Sequence, residues 1–305
     1  MAKYSCTICP FNCKVDREKT FGVCGLPNKI LISHVQPHFY EEPMISGCSE
    51  GQTTGFGGSG GIFFTGCNGG CVFCQNYKIS QRELWEIKLK KHVEHQELLN
   101  ICLDLIENKK CHNINFVSPT PYSDLLRDFL IKYKNKIKVP IIWNSNGYEK
   151  EVTIKSLDGL IDVYLPDLKY FDNNIAVKYS KMPDYFINAS KAIIEMHRQV
   201  GFPQLDENSL IKKGLIIRHL VLPGNIVDSK KVLDWIKNTF GEKAYIALMA
   251  QYYPCYKNNE FPEINRCLTE DEYSEVSDYF ISLGFEDGLV QDLQSSDPKF
   301  TPEFN

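Results

Sequence analysis

Short apolar runs alternate with amphipathic stretches along most of the chain, and this alternation limits the possible folds more than any other feature. Six runs have the length and composition of buried strands, at residues 59–64, 113–118, 139–145, 160–166, 214–223 and 244–249. Apolar residues recur with helical spacing at residues 94–107, 122–134, 188–200, 229–240 and from Thr269 to Gly284. A strand–helix unit repeated about six times is typical of a parallel sheet, either wound open or curled into a barrel. We therefore predict an α/β fold with its functional groups at the carboxyl ends of the strands.

Composition narrows the range of partners. The chain has 305 residues, 43% hydrophobic and 24% charged, with a formal charge of −4, which are ordinary values for a soluble globular protein. A slightly acidic surface has no general attraction to phosphate backbones or anionic lipid, which disfavours nucleic acid and membrane partners. No secretory signal or membrane-spanning run is evident, so we expect a cytoplasmic protein. In a reducing compartment, twelve cysteines indicate metal binding or catalysis rather than disulfides.

Three parts of the chain differ in character. Residues 1–45 are dense in Cys, Pro and His and predict a small Cys-rich metal-binding segment. Residues 46–260 contain the repeated strand–helix pattern and predict the main domain. Residues 261–305 predict a C-terminal helix and tail, and the helix begins where Thr269 and Glu272 have capping-box spacing.

The loop after the first predicted strand contains three cysteines within eight residues. The stretch FFTGCNGGCVFCQN places Cys67, Cys71 and Cys74 around the glycines Gly69 and Gly70. Since this loop follows a strand of the parallel sheet, it lies where the fold places a functional site.

The three thiols are consistent with three roles. They could be apolar residues on one helical face, but each glycine inside a helix costs roughly 1 kcal/mol relative to alanine. They could bind zinc, but structural zinc takes four ligands and the next Cys or His after the loop is His92. They could instead hold three irons of a cubane cluster and leave the fourth iron open to a substrate. Three thiols rather than four favour this last arrangement.

The spacing Cys-x3-Cys-x2-Cys, with Phe73 directly before the last cysteine, resembles the radical S-adenosylmethionine (SAM) superfamily. The resemblance implies a partial (β/α)6 TIM-like barrel, a [4Fe–4S] cluster on Cys67, Cys71 and Cys74, and SAM chelated to the open iron. One electron then splits the sulfonium into methionine and a 5′-deoxyadenosyl radical, which abstracts a hydrogen atom. The resemblance also implies sensitivity to oxygen and an electron donor such as flavodoxin or ferredoxin.

The resemblance further implies SAM contacts at the later strand ends. SPTP (118–121) stands where the superfamily usually has a glycine-rich segment, whereas NSNG, LPDLKY, IRHLVLPG and LMAQYYP match segments of glycyl-radical activating enzymes in position. Asp167 suits ribose hydroxyls because a carboxylate only accepts hydrogen bonds, and Arg218 suits the SAM carboxylate or a nearby charge. The candidate SAM-binding residues are Phe73, Ser118, Pro119, Thr120, Asn144, Asp167, Lys169, Arg218 and Gln251. A monovalent cation could lie among Asn144, Ser145, the Leu165 carbonyl and Asp167.

Segments from CTICPFNC to INRCLTEDEY resemble one subgroup across nearly the whole chain. This is the PflX-like group, usually labelled as pyruvate formate-lyase activating enzyme-like proteins. The label describes a similarity and does not by itself define a reaction.

A second group of four cysteines lies near the N-terminus. Cys6, Cys9, Cys13 and Cys24 have the spacing C-x2-C-x3-C-x10-C, and four thiols are the number that a closed site for zinc or a second iron–sulfur cluster requires. Free buried thiols are the alternative, and Cys48, His34 and His38 could substitute as ligands.

The remaining cysteines have weaker signals. Cys255 follows the sixth strand and is a candidate catalytic thiol, although an ordinary loop cysteine is also consistent with its position. Cys267 lies twelve residues further on. Cys102 falls on the apolar face of its helix and is expected in the core, and Cys111 has no evident role.

Three functions follow from these observations. The first is a radical SAM enzyme that activates a glycyl-radical enzyme, so that its substrate is a protein loop. The second is a radical SAM enzyme that modifies a small molecule or a peptide side chain. The third, of a different class, is an iron–sulfur electron-transfer or metal-binding protein without SAM chemistry.

Overall fold

The computed structural model describes residues 5–47, 57–85 and 91–296, and these residues form an α/β fold. Parallel strands buried on both faces appear in a sequence as continuous apolar runs, which is why six of the strands are visible there. The strands are β1 (Leu31–His38), β2 (Ser59–Phe64), β3 (Lys91–His92), β4 (Ile114–Val117), β5 (Ile141–Ser145), β6 (Val163–Pro166), β7 (Gln204–Leu205), β8 (Ile211–Leu220), β9 (Tyr245–Met249) and β10 (Gly288–Val290).

The strands belong to one ten-stranded sheet in the order β10-β9-β8-β6-β5-β4-β2-β1-β3, with β7 paired to β8. From β2 to β9 every neighbouring pair along this order is parallel, and β10 is parallel to β9. Strands β1, β3 and β7 pair antiparallel at their positions. The sheet therefore contains the six expected parallel strands, with additions at both edges and on β8.

Most of the larger helices follow the parallel strands, as in other βα repeats. The helices are α1 (Pro43–Ser46), α2 (Tyr77–Ser80), α3 (Arg82–Trp85), α4 (His95–Glu107), α5 (Ser123–Tyr133), α6 (Glu151–Lys155), α7 (Asn173–Ser180), α8 (Tyr185–Val200), α9 (Ile226–Phe240) and α10 (Glu270–Ser282). Helix α8 ends at Gly201 with φ of 70°, and Thr269 and Glu272 form the capping box that the sequence predicts for α10. Among the described residues, every helix is too short or too polar to cross a bilayer.

Alternate strand residues face two different apolar environments. Phe116, Trp143 and Tyr164 pack with the helices in the larger core. Their neighbours on the opposite face, including Ile142 and Val163, form a smaller cluster inside the curved sheet. The residues that line the functional site are on this interior face, above that apolar cluster.

The predicted fold class, a partial (β/α)6 TIM-like barrel, is confirmed. The six predicted strands are present, with bounds that differ by at most three residues from those expected. Strand β1 lies within the segment predicted as a Cys-rich metal-binding unit, and β10 lies within the predicted tail. The division into residues 1–45, 46–260 and 261–305 stays a prediction.

Candidate metal and cofactor site

A cavity of about 390 Å³ lies between the carboxyl ends of the parallel strands and the interior of the sheet, and Cys67, Cys71 and Cys74 line it together. The three cysteines lie in the loop between β2 and α2. Backbone hydrogen bonds hold this loop, from the Gly70 amide to the Ser180 carbonyl at 2.9 Å and from the Val72 amide to the Tyr179 carbonyl at 2.8 Å. The loop is thus attached to the end of α7 rather than projecting freely.

Each of the three sulfur atoms has a hydrogen-bond partner. The Gly69 amide and the Asn146 Nδ2 donate to Cys67 Sγ at 3.3 and 3.2 Å. The Ser180 hydroxyl donates to Cys71 Sγ at 2.9 Å, and Cys74 Sγ lies 3.1 Å from the Ser80 hydroxyl. A neutral thiol is a weak acceptor, so the donors directed at Cys67 and Cys71, together with the hydroxyl beside Cys74, suit thiolate ligands of a metal centre.

Burial governs the electrostatics of the three thiols. It raises the pKa of Cys67 to about 12 and that of Cys74 to about 11, and it also raises the pKa of Cys71. The three sulfurs also interact electrostatically with one another. Thiolates here therefore need a positive charge such as that of iron, because metal binding and deprotonation of the ligands are coupled.

The described residues contain no group of three or more His, Cys, Asp or Glu side chains arranged around a metal ion. A cubane has a different requirement from a single ion, since each thiolate binds its own iron. The three buried sulfurs, their donors and their common cavity fit such a cluster by the chemistry of the donor set.

Most of the predicted SAM-binding residues line the same cavity as the thiols: Phe73, Ser118, Asn144, Asp167, Lys169, Arg218 and Gln251. Pro119 and Thr120 do not line it, and the Thr120 hydroxyl instead donates to Glu149 at 3.0 Å. Only the first residue of SPTP therefore reaches the cavity, and it does so with a left-handed backbone, φ of 58°.

Asp167 and Lys169 form an ion pair beside the cysteine loop, with 2.5 Å between Lys169 Nζ and Asp167 Oδ2. Burial alone would lower the pKa of Lys169, but Asp167 and then Cys71 outweigh it, so this pKa is raised. Lys169 in turn favours the thiolate form of Cys71, although burial of that thiol is the larger effect. Lys169 thus stays charged, and it interacts both with Asp167, the predicted acceptor for the ribose hydroxyls, and with the thiol of Cys71.

Arg218 is engaged by two carboxylates that the sequence reasoning did not single out. Its Nε donates to Glu42 at 2.7 Å, and its Nη2 donates to both Glu41 and Glu42. Burial opposes ionisation of Glu41, but Arg218 outweighs it and the pKa of Glu41 is lowered. The guanidinium of Arg218 is therefore already bonded to two carboxylates and is not free to bind the SAM carboxylate.

Glu149 connects the segments after β4 and β5. It is fully buried, and its carboxyl oxygens accept hydrogen bonds from Trp143 Nε1 at 2.8 Å, Ser145 Oγ at 2.8 Å and Thr120 Oγ1 at 3.0 Å. Ser145 donates to Glu149 and the Asn144 amide donates to Glu41 at 3.3 Å, so both side chains have partners within the chain. The monovalent cation stays a prediction.

Cys6, Cys9 and Cys13 are in a short hairpin-like turn, with backbone hydrogen bonds from Cys6 to Val15 and from Lys14 to Cys6, and Cys24 follows this turn in the chain. Burial raises the pKa of Cys9 to about 12, and Cys24, Cys6 and Cys13 add to this shift, so the four thiols are near one another. The described residues contain no group arranged around a metal ion, and the expected second metal site is therefore not shown.

The other residues named as possible ligands lie elsewhere. His38 lines the main cavity, and His34 Nε2 is 2.8 Å from Gln36 Oε1 on β1. Cys48 is outside the described residues.

The remaining cysteines differ in exposure. Cys255 does not line the cavity, and burial followed by the nearness of Cys74 raises its pKa to about 12. Cys267 is exposed, and Cys102 is buried on α4 as expected. Cys111 is also buried, and its thiol donates to the Gly57 carbonyl at 3.2 Å.

Comparisons with known proteins agree with this site. The profile of the radical SAM superfamily matches residues 62–236. An uncharacterised protein of Methanocaldococcus jannaschii is 32% identical over 277 residues, which cover 88% of this chain and 72% of the relative. The chain belongs to the radical SAM superfamily.

Two solved structures share the fold at low identity. Methylornithine synthase is 14% identical with a TM-score of 0.51, and the match covers 74% of this chain and 63% of that chain. HydG, a maturase of the [FeFe]-hydrogenase, is 12% identical with a TM-score of 0.51, and covers 79% of this chain and 52% of that one. Superfamily membership implies an enzyme of radical chemistry that uses a [4Fe–4S] cluster and SAM. The narrower resemblance to the PflX-like group stays a prediction.

Proposed function

We infer that this chain is a radical SAM enzyme whose cluster is held by Cys67, Cys71 and Cys74. The observation that supports this best is that the three thiols line one cavity and that each sulfur has a hydrogen-bond partner. When bound, a [4Fe–4S] cluster supplies the electron that cleaves SAM to methionine and a 5′-deoxyadenosyl radical, which then abstracts hydrogen from a substrate.

The residues around the cavity have separate roles in this proposal. Asp167 accepts hydrogen bonds from the ribose hydroxyls of SAM, and Lys169 is its ion-pair partner. Phe73, packed on Tyr252 with 5.6 Å between ring centroids, forms an apolar wall beside the cluster. Ser118, Asn144 and Gln251 supply further polar contacts. Arg218 provides the nearby charge rather than a ligand for the SAM carboxylate, because its donors are already engaged.

We propose a small molecule, rather than a protein loop, as the substrate of this cavity. Residues 38–43 line its inner end, and Ile45 lies in the apolar cluster inside the sheet. This segment closes the interior at the amino ends of the parallel strands, so a substrate enters from the side of the cysteine loop. Activation of a glycyl-radical enzyme, which needs room for a backbone segment, is the second candidate that the resemblance supports.

The proposal extends to an electron donor and a second metal site. A reduced flavodoxin or ferredoxin is the expected donor for a low-potential cluster. Cys6, Cys9, Cys13 and Cys24 are proposed to bind zinc or a second iron–sulfur cluster on the strength of their number and spacing. Metal analysis of the purified chain distinguishes the two, since zinc and additional iron are measured separately.

The proposed function is tested by SAM cleavage in the anaerobically reconstituted and reduced protein. We expect 5′-deoxyadenosine from the wild-type chain and its loss in Cys71→Ala, because one of three cluster ligands is removed. Cys267→Ser, which changes an exposed thiol, is the matched control and should keep the activity. Full activity in Cys71→Ala would exclude the proposed role of the loop. Clusters without SAM cleavage in the wild-type chain would favour the electron-transfer alternative.

A further inference from the structure

Ser180, the last residue of α7, contacts the cysteine loop in two separate ways. Its backbone carbonyl accepts a hydrogen bond from the Gly70 amide at 2.9 Å, and its hydroxyl donates to Cys71 Sγ, also at 2.9 Å. The backbone hydrogen bond attaches the loop to α7 whatever side chain is present at position 180. The hydroxyl is therefore available to act on the sulfur alone.

Tyr170 fixes the direction of the Ser180 hydroxyl. The phenol oxygen of Tyr170 is 2.6 Å from Ser180 Oγ, and both side chains are buried. A serine hydroxyl has one hydrogen, which Cys71 Sγ receives, so the phenol donates to Ser180. Two consecutive hydrogen bonds thus run from Tyr170 through Ser180 to Cys71, and in such a chain each bond strengthens the next.

The hydroxyl of Ser180 reaches the sulfur from outside the cavity. Cys71 lines the cavity, whereas neither Ser180 nor Tyr170 is among the described residues that do so. The Ser180 side chain is also fully buried. A donor in this position acts through the thiolate and does not contact a molecule bound in the cavity.

The other two thiols have partners that are oriented in the same manner. Asn146 Oδ1 accepts a hydrogen bond from the Tyr148 amide at 2.9 Å, and this turns Asn146 Nδ2 towards Cys67 Sγ, 3.2 Å away. Ser80 Oγ accepts from Gln81 Nε2 at 3.1 Å, which leaves the Ser80 hydrogen for the third thiol, also at 3.1 Å. Three separate segments of the chain therefore direct oriented polar groups at the sulfurs, and Ser180 is the one outside the cavity.

We propose that Ser180, oriented by Tyr170, is a positioning residue that raises the reduction potential of the cluster held by the cysteine loop. Reduction adds one electron, and hydrogen bonds to the ligand sulfurs are one of the factors that set the potential of an iron–sulfur cluster. A donor at a thiolate stabilises the more negative, reduced form more than the oxidised form, because hydrogen bonds strengthen with the charge of the acceptor. This proposal rests on the proposed function, because it concerns the cluster of the same loop.

The test is a redox titration of the anaerobically reconstituted chain with dithionite, followed by electron paramagnetic resonance without SAM. The signal of the loop cluster is the one that Cys71→Ala abolishes. We expect Ser180→Ala, which keeps the backbone bond to Gly70, to lower the ratio of reduced to oxidised cluster about tenfold at a fixed potential, or about 59 mV. Tyr170→Phe should shift the potential in the same direction by a smaller amount, because the serine hydroxyl remains but loses the partner that orients it.

Ser123→Ala is the matched control. It also removes a fully buried serine hydroxyl, but that hydroxyl donates to the Thr120 carbonyl at 2.7 Å and not to a thiol. The control should therefore leave the potential unchanged, and iron analysis of each variant shows whether equal amounts of cluster are compared.

An unchanged or raised potential in Ser180→Ala, or an equal shift in Ser123→Ala, would overturn the proposal. If Ser180→Ala holds no cluster, Tyr170→Phe decides the question, and an unchanged potential in that variant would overturn the proposal as well. The titration needs neither SAM nor its cleavage. Absence of 5′-deoxyadenosine from the wild-type chain would instead contradict the proposed function, so the two failures are distinguishable.

Discussion

Gly69 lies where the cysteine loop passes closest to the rest of the molecule. A Cβ at this position would be 2.1 Å from Cε of Met182 and 3.2 Å from Nδ2 of Asn146, which donates to Cys67. Met182 is fully buried, so its terminal methyl group has to shift within the surrounding core to make room for a Cβ. The absence of a side chain at Gly69 thus allows Met182 and Asn146 to pack closely against the loop that contains Cys67.

We expect Gly69→Ala to destabilise the protein by about 1–3 kcal/mol, the range for overpacking a core, and to lower the iron content per chain. Gly70→Ala is the matched control, because the three atoms nearest to a Cβ there all belong to Lys181, the closest at 3.1 Å, and that side chain is exposed. Thermal unfolding and iron analysis of both variants measure the effect. Equal losses in the two variants would show that the contact with Met182 is not the cause.

At the residue scale, the sequence predicts the metal-binding cysteines more readily than the buried carboxylates around the cavity. The cysteines are recognisable because their number and spacing match a metal centre. Glu41 and Glu42 were missed because an acidic pair between a strand and a proline has no local signal. Their contact with Arg218, 177 and 176 residues away, depends on the strand order. Glu149 was missed for the same reason, since its partners come from two separate segments, strand β5 and the segment after β4.

At the element scale, Glu272 attaches helix α10 to the sheet. The side chain accepts hydrogen bonds from the Thr269 amide at 3.1 Å and from the Gly224 amide, after β8, at 2.8 Å. A hydrogen bond from Arg266 is the largest influence that lowers the pKa of Glu272, to about 2. Because this pKa lies below the ordinary value of 4.5, ionised Glu272 stabilises the fold above pH 4.5, and this stabilisation is lost as the pH falls through 2.

Glu272→Gln should therefore lower the free energy of unfolding by roughly 1 kcal/mol at pH 7, as expected for a weakened helix cap. The difference from the wild-type chain should be constant above about pH 5.5 and shrink below pH 4.5, which denaturation at a series of pH values measures. Glu275→Gln, which removes only an exposed ion pair with Lys230, is the control on the same helix. A difference that persists unchanged towards pH 3 would contradict the role of the carboxylate charge.

The strands and helices could be predicted where their burial produces a pattern of apolar residues in the sequence. The six parallel strands are continuous apolar runs, and the long helices have an apolar stripe. Strand β1 reads LISHVQPH, which contains two histidines and a proline, and it joins the sheet by pairing with β2. Strands β3, β7 and β10 have two or three residues each, too few for a period to be visible. Their existence depends on neighbours that are distant in sequence.

At the scale of the whole molecule, the N-terminal turn is fixed to the barrel beside the cysteine loop. Arg17, 5% exposed, donates to the Pro121 carbonyl at 2.6 Å and to the Pro27 carbonyl at 2.7 Å. Phe11 packs edge-on against Tyr148 with 5.3 Å between ring centroids. These contacts place the four N-terminal thiols next to the segments after β4 and β5, which the sequence alone did not indicate.

The central claim is that three thiolates of one loop hold a cluster whose remaining iron is open to SAM. Electron paramagnetic resonance of the reduced, oxygen-free protein, recorded with and without SAM, tests it most directly. A variant with Cys6, Cys9, Cys13 and Cys24 replaced by serine removes any signal from the N-terminal site. The account predicts that SAM changes the spectrum of the remaining cluster, and that the change disappears when Cys67, Cys71 and Cys74 are replaced by alanine. A cluster signal that is identical with and without SAM would contradict the account.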